Sequence, residues 1–564
     1  MIIFLLSSTV SKNMIHMYRK IPFFLLLFIT ITAHSQNKIH ASTKPKLVIG
    51  IVVDQMRADY ISKYKSKLGS GGFIKLATQG YQCRNTNYNY VPTYTGPGHA
   101  SIYTGTTPTI HGIVANEWFD RTENDTIYCA EDKNVKGVGS DNNAGKMSPR
   151  RLLSTTITDE LQLTNQGKSK VIGISLKDRG AILPAGRSGD AAYWYDGTTG
   201  NWISSTWYMN ELPKWTKDFN ERKWPDYYLS KPWSTTFPLN NYTESDPDDS
   251  PYEQPFNGEA KPVFPHNLPA LRGNSFDLIR RTPFGNTMTK DLAISAISGE
   301  ELGADSITDF LCISFSATDY VGHQFGTDAI ELEDTYIRLD RDIADLLQYL
   351  DTHIGKGNYL IFLTADHGAV VNPQSLIDKK IEAGFSDPKA IADTVKYFLH
   401  SKYGSSEFLQ SYLNDQFYLN RTKVDSANIN ICEMQQGIAD FIRYKINGLQ
   451  DVLTSCNTSS TEYNEPFRNK IQKGMQPKRS GDVVLLFSPG WTDKLFGNGK
   501  QGTTHGSPYP YDTHVPLIWY GWGIHPGACT RAINIPDIAP TLSFLLDIGI
   551  PNGCTGKVIE EIAK

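Results

Sequence analysis

The stretch YLIFLTADHG, residues 359–368, starts as a short apolar run and then turns to Asp366, His367 and a glycine. A continuous apolar run of this length suits a strand buried on both faces of a sheet. The layout recurs along the chain. KLVIGIVVDQM (46–56) reaches Asp54, KVIGISLKDRG (170–180) reaches Lys177 and Arg179, and FLCISFSATDY (310–320) reaches Asp319. VVLLFSPGW (483–491) is a further run of the same kind. Helical patterns such as LEDTYIRLDRDIADLLQYLDTHI (332–354) lie between them. The alternation predicts an α/β fold with helices on both faces of a mostly parallel sheet. Ligands of such sheets gather outside the carboxyl ends of the strands, which is where these acidic, basic and histidine residues fall.

Two stretches interrupt the alternation. Residues 190–290 hold six of the ten tryptophans: Trp194, Trp202, Trp207, Trp215, Trp224 and Trp233. Residues 370–480 are polar and helical in pattern. Both read as insertions on one catalytic domain, and the tryptophans as packing and rim residues rather than a sugar platform. The segment TESDPDDSPYE (243–253) reads as a solvated acidic loop.

With 564 residues, 40% hydrophobic and 20% charged, the chain is long enough for one large domain with insertions. A net charge of −4 and no long basic run argue against a dedicated nucleic-acid partner. MYRKIPFFLLLFITITAHSQ (17–36) has the basic start, short apolar run and small residues of a secretory signal cleaved after Ser35. The expected organisation is a signal peptide over 1–35 and a catalytic domain over 36–564, exported to a bacterial periplasm or secreted. No stretch promises a stable membrane span. Export makes disulfides plausible. Cys432 with Cys456, Cys529 with Cys554 and Cys83 with Cys129 are candidate pairs, although spacing does not fix connectivity. Cys312, inside an apolar run, reads as a buried free thiol.

Asp319 and His323 are four apart, on one side of a helical turn. Asp366 and His367 are adjacent, Asp54 closes the first strand, and His505 sits in the small-residue loop TTHGS. Three carboxylates and three imidazoles are enough for two zinc ions with three protein ligands each, leaving positions open for substrate. Two such ions can clamp the attacking and leaving oxygens of a phosphoryl transfer.

The motifs IVVDQMRADY, PTYTGPGHASIYTGTTPTIHGIVAN, SLKDRG, SATDYVGHQFG, TADHGAV and QGTTHGS run from about residue 46 to about 516. Together they resemble the alkaline phosphatase superfamily. The likeness is strongest to the branch joining nucleotide pyrophosphatase/phosphodiesterases with threonine-nucleophile alkaline phosphatases of the PafA type. The resemblance implies an alkaline phosphatase-like α/β/α sandwich with inserted lobes. It also implies Thr95 as nucleophile, with Asp54, Asp366 and His367 holding the zinc ion that binds the Thr95 oxygen. Asp319, His323 and His505 would hold a second zinc ion, beside the leaving group. Asn116 would donate to a phosphate oxygen, and Lys177 and Arg179 would grip the phosphate. The chemistry agrees, because a threonine hydroxyl needs activation and a helix start near Gly98 would aim N–H groups at an anion.

Two cationic side chains suit the dianion of a monoester, so the expected substrate is a small phosphate monoester and the expected enzyme a monomeric di-zinc alkaline phosphatase working through a phosphothreonine. A phosphodiesterase using the same site is the alternative, and an exported glycan-binding protein with an inactive metal site the remote one. Sulfatases of the superfamily carry Cys or Ser where Thr95 stands, and phosphoglycerate mutases are cytosolic and use serine. His99, His111, His514, Asp512, Thr93 and Thr104 read as supporting residues.

Overall fold

The computed structural model describes residues 44–493 and 499–563. The signal segment expected over residues 1–35 lies outside them.

An eleven-stranded sheet forms the centre among the described residues. Strand Leu47–Val53 lies in its middle, parallel to Tyr359–Thr364 on one side and to Asp309–Phe315 on the other. Beyond Asp309–Phe315 come Val171–Ser175 and Ala191–Asp196, again parallel. Antiparallel strands flank this core: Leu517–Gly521 next to Tyr359–Thr364, and Asn201–Ser205 next to Ala191–Asp196. The fold is therefore mixed α/β, parallel where it matters for the strand ends.

The reason is visible in burial. Every residue of Leu47–Val53, Asp309–Phe315 and Tyr359–Thr364 is buried, so the strands are mostly apolar on both faces instead of alternating. Each fully buried Leu, Ile, Val or Phe contributes roughly 1.5–3 kcal/mol by leaving water. Gly50 makes a close approach possible: a Cβ there would meet Tyr103 Oη at 2.3 Å. Tyr103 belongs to helix Thr95–Thr104, which is thereby seated directly on the strand that leads to Asp54.

The structure moves several expectations. Ala191–Asp196 and Asn201–Ser205 belong to the central sheet, so the first interruption starts after Ser205 rather than at 190. Trp194, Trp202 and Trp233 are buried and none of the six tryptophans is exposed, which leaves no aromatic platform at the surface. The run VVLLFSPGW is not a strand of the parallel core. Val483–Phe487 pairs antiparallel with Gln416–Leu419 and Leu449–Thr454 in a separate four-stranded sheet. That sheet packs with helices Pro388–Tyr403 and Ile431–Ile442 on its own core, so the second insertion is a mixed lobe and not purely helical.

Cys432 and Cys456 form a disulfide. The other two pairings do not form. Cys529 is in register with Cys83 across parallel strands, Cys129 lies by Gly96, and Cys554 packs on Gly105. Cys312 is a buried free thiol.

Candidate active site

Four neighbouring strands deliver the site. Asp54 directly follows strand Leu47–Val53, and Asp366 and His367 follow Tyr359–Thr364. Helix Ala317–Phe325, entered from strand Asp309–Phe315, carries Asp319 and His323 one turn apart. Lys177 and Arg179 come after Val171–Ser175; they lie at the start of helix Asp178–Ala185, not on the strand end expected from sequence. His505 arrives from a late loop.

These residues assemble into two groups, Asp54–Asp366–His367 and Asp319–His323–His505, each with its ligand atoms within 4.8 Å of one another. His367 Nε2 is 3.6 Å from both Asp54 Oδ1 and Asp366 Oδ2. Asp319 Oδ1 is 3.2 Å from His323 Nε2 and 3.6 Å from His505 Nε2. All three imidazoles are anchored the same way. Nδ1 of His323 meets the Thr503 carbonyl at 2.8 Å, Nδ1 of His505 the Thr93 carbonyl at 2.7 Å, and Nδ1 of His367 the Gly368 carbonyl at 3.0 Å. A carbonyl only accepts, so each Nδ1 carries a proton and Nε2 is the atom each ring turns to its group. Burial lowers the pKa of His323, but Asp319 outweighs that and holds it above its ordinary value. Burial pushes His367 down to about 3, and burial with the neighbouring His367 holds His505 well below its ordinary value.

The donor set fits metal ions. Asp54 Oδ1, Asp366 Oδ2 and His367 Nε2 are buried with no hydrogen-bond partner, and the other Asp54 oxygen meets only Lys177. Burial, and next to it the charge of Asp54, pushes Asp366 well above the carboxylate range. Clustered carboxylates with imidazoles match the ligand preference of zinc. Lys177 Nζ lies between the groups, 2.7 Å from Asp54 Oδ2 and 2.5 Å from Asp319 Oδ2. Burial alone would lower its pKa, but Asp319 and Asp54 outweigh that and raise it.

Thr95 is the first residue of helix Thr95–Thr104, so the helix begins three residues earlier than the glycine-rich sequence suggests. Pro97 is tolerated because first-turn N–H groups have no intrahelical partner. Thr95 Oγ1 is 3.3 Å from Lys177 Nζ and 3.5 Å from Arg179 Nη2. Asn116 Oδ1 accepts from Gly96 N at 2.8 Å, which leaves its amide N–H₂ to donate.

Gln55 and Tyr128 were not singled out in the sequence. Gln55 has φ of +63°, a costly backbone for a residue other than glycine. Its Nε2 donates to Asp319 Oδ1 at 2.7 Å and its backbone N to Asp366 Oδ1 at 3.2 Å, so one residue ties both groups together. Its position directly after Asp54 was the available signal. Tyr128 Oη accepts from Arg179 Nη1 at 2.9 Å and donates to Asp178; nothing in its local sequence marks it.

The supporting residues separate. His99 bonds the Thr95 carbonyl at 2.9 Å through Nδ1 and Ser314 Oγ through Nε2, and its Nδ1 lies 3.5 Å from Asp366 Oδ2, so it backs the first group without belonging to it. Asp512 holds the Gly506 and Ser507 N–H groups beside His505. His111 meets Ser101 Oγ and Ile113 N. Thr93 and Thr104 donate to backbone carbonyls. His514 bonds the Arg84 carbonyl, away from the site.

The profile of the type I phosphodiesterase / nucleotide pyrophosphatase family matches residues 48–508. A protein of Myroides odoratus named calcium-transporting ATPase is 45% identical, over 92% of this chain and 94% of its own. Alkaline phosphatase PhoV of Synechococcus elongatus is 43% identical over 92% of this chain and 93% of its own. Alkaline phosphatase PafA of Elizabethkingia meningoseptica is 42% identical over 93% of this chain and 96% of its own. The crystal structure of wild-type PafA has a TM-score of 0.89 to this structure at 41% identity, covering 92% of this chain and 99% of that one.

Proposed function

The chain belongs to the type I phosphodiesterase / nucleotide pyrophosphatase family, and from that premise we propose that it is an alkaline phosphatase hydrolysing phosphate monoesters through a covalent phosphothreonine on Thr95. Asp54, Asp366 and His367 would hold one zinc ion on the side of Thr95, and Asp319, His323 and His505 would hold a second. Bound zinc supplies Lewis-acid stabilisation of the Thr95 alkoxide and of the departing ester oxygen.

The chain's own residues do the rest. Thr95 Oγ1 attacks phosphorus in line; the Oγ–P bond forms and the P–O ester bond breaks. The Thr95 hydroxyl gives up its proton to solvent, and the departing alkoxide takes one from water to leave as the alcohol. Water then attacks the phosphothreonine, the Oγ–P bond breaks, and phosphate leaves with Thr95 restored. Lys177, Arg179 and the Asn116 amide bear on the non-bridging oxygens, where charge is greatest in the transition state.

The observation that supports a monoesterase is the pair of cations, Lys177 and Arg179, that both reach the nucleophile oxygen. Two positive charges match a dianion better than the single charge of a diester. No helix among the described residues is long and apolar enough to cross a membrane. We read the protein as exported, cleaved after Ser35 and monomeric, with the interruptions after Ser205 and from about residue 370 as elaborations of one catalytic domain.

The test compares kcat/KM for an aryl phosphate and for its methyl diester in the wild type, Lys177→Ala and Arg179→Ala. The monoester is preferred, and each substitution lowers its turnover by about 10²–10³-fold with a smaller effect on the diester. A diester preference that survives both substitutions would make the protein a phosphodiesterase.

A further inference from the structure

The acidic loop 243–253 is solvated only in part: Thr243, Pro247, Asp249 and Pro251 are exposed, while Ser250 and Glu253 are buried. Its acidic side chains have distinct fates. Glu244 pairs with Lys67, Asp249 with Lys261, and Asp248 accepts from Phe264 N at 3.2 Å. Glu253 stands apart: it is 2% exposed, and its Oε2 is buried with no hydrogen-bond partner. No cation among the described residues pairs with it. Its charged neighbours are carboxylates, first Glu331 and then Asp248, Asp246 and Asp249; burial and these charges push it up to about 11. Glu331 is itself fully buried with Oε2 unpartnered, and its other oxygen meets His266 Nε2 at 3.1 Å.

Glu253 lines a cavity of about 10 Å³ together with Asp246, Ser250, Thr327, Asp328 and Ser375. That is about the space one small ion or water needs. Ser375 provides an independent pointer: its Oγ is buried, 2% exposed at the residue, and has no hydrogen-bond partner. Lys63 neutralises Asp328 from one side, at 2.7 Å, and Lys379 acts on Asp246.

We propose that this cavity binds one hard divalent cation of the calcium class through oxygen ligands alone. Asp246 and Glu253 supply carboxylates, Ser375 a hydroxyl, and the surrounding loop its carbonyls. No histidine or cysteine lines the cavity, which disfavours zinc. Magnesium keeps several of its waters and demands near-ideal octahedral geometry, so a site built from protein oxygens on three irregular segments suits calcium better.

Three segments meet there. They are the inserted loop, the stretch Phe325–Ala329 that follows the helix of Asp319 and His323, and Asn372–Ser375, which follows Asp366 and His367. Asn372 Nδ2 also donates to the Gly502 carbonyl at 2.8 Å, three residues before His505. A cation here fastens the insertion to the segments that carry both groups of the candidate active site.

The experiment uses the full zinc-loaded enzyme in zinc-containing, calcium-free buffer. Adding CaCl₂ raises the wild-type Tm by about 2–5 °C at saturating calcium, and magnesium does not. Glu253→Gln loses that shift while its calcium-free Tm equals or exceeds the wild type's. Should that variant fail to fold, wild-type luminescence decides: Tb³⁺ emission sensitised by Tyr252, which lines the cavity, is chased by calcium. A wild-type Tm that ignores calcium, an equal shift in Glu253→Gln, or Tb³⁺ emission indifferent to calcium overturns the proposal and leaves Glu253 holding a proton.

Discussion

Gly98 lies so close to Asp366 that a Cβ on it would stand 2.5 Å from the Asp366 carbonyl oxygen and 2.7 Å from its Cβ. The missing side chain lets the helix of Thr95 abut the segment of Asp366 and His367. Gly98→Ala pushes them apart by several tenths of an ångström at least. We expect a fall in kcat/KM of about 10²-fold, since small misplacements of a nucleophile are costly, and a loss of about 1–3 kcal/mol of stability from overpacking. Steady-state kinetics on an aryl phosphate with a denaturant titration checks both; activity within twofold of wild type contradicts the argument.

Tyr128 positions Arg179 and does not itself reach Thr95. Tyr128→Phe removes the oxygen that accepts from Arg179 Nη1. Monoester kcat/KM should drop about 10-fold, and the same change on an Arg179→Ala background should cost nothing further. Additive losses in that double-mutant cycle would give Tyr128 a role independent of Arg179.

Stripping metal should abolish activity, and about two zinc ions per chain should restore it. It should also expose the structural role of Lys177, the cation nearest Asp54 and Asp319. Lys177→Ala should then cost the chelated protein about 3–5 kcal/mol, the penalty for removing one partner of a buried ion pair, and the zinc-loaded protein less. Equal losses in both states would show that Lys177 does not balance those carboxylates.

His111 carries a pH dependence away from the metal groups. Burial pushes it down to about 3, so in the folded state it stays neutral where the unfolded chain begins to bind a proton near 6.5. A depressed folded-state value means the unfolded form gains protons first, and stability is lost as pH falls below 6.5. Between pH 7 and pH 5 this amounts to about 2 kcal/mol. His111→Gln should narrow its stability gap to the wild type by that amount over the interval, as read by urea unfolding. A constant gap would place the acid sensitivity elsewhere.

The sequence was most readable where a residue's environment is set by its immediate neighbours. Asp54, Asp366 and His367 stand out because an apolar run stops beside them, and Asp319 with His323 because a helix brings i and i+4 together. Distant partners were not readable. Val483–Phe487 has the composition of a core strand, yet its pairing is decided by where the lobe returns the chain. Cys83 meets Cys529 because their strands are adjacent, and no spacing rule encodes that. Tyr128 matters only through a contact with Arg179 51 residues away. The start of helix Thr95–Thr104 was misplaced because glycines and a proline count against a helix interior but are harmless in its first turn.

The strand that leads to Asp54 sits mid-sheet, paired on both sides with strands from residues 309–364. A chain growing from its amino terminus therefore holds seven apolar residues without neighbours until more than half its length is made. His505 reaches Asp319 later still. Such long-range closure makes folding slow and leaves the early strand open to aggregation. A ribosome cannot build this catalyst piecemeal: the chain must be made as far as His367 before the first candidate metal group can form, and as far as His505 before the second.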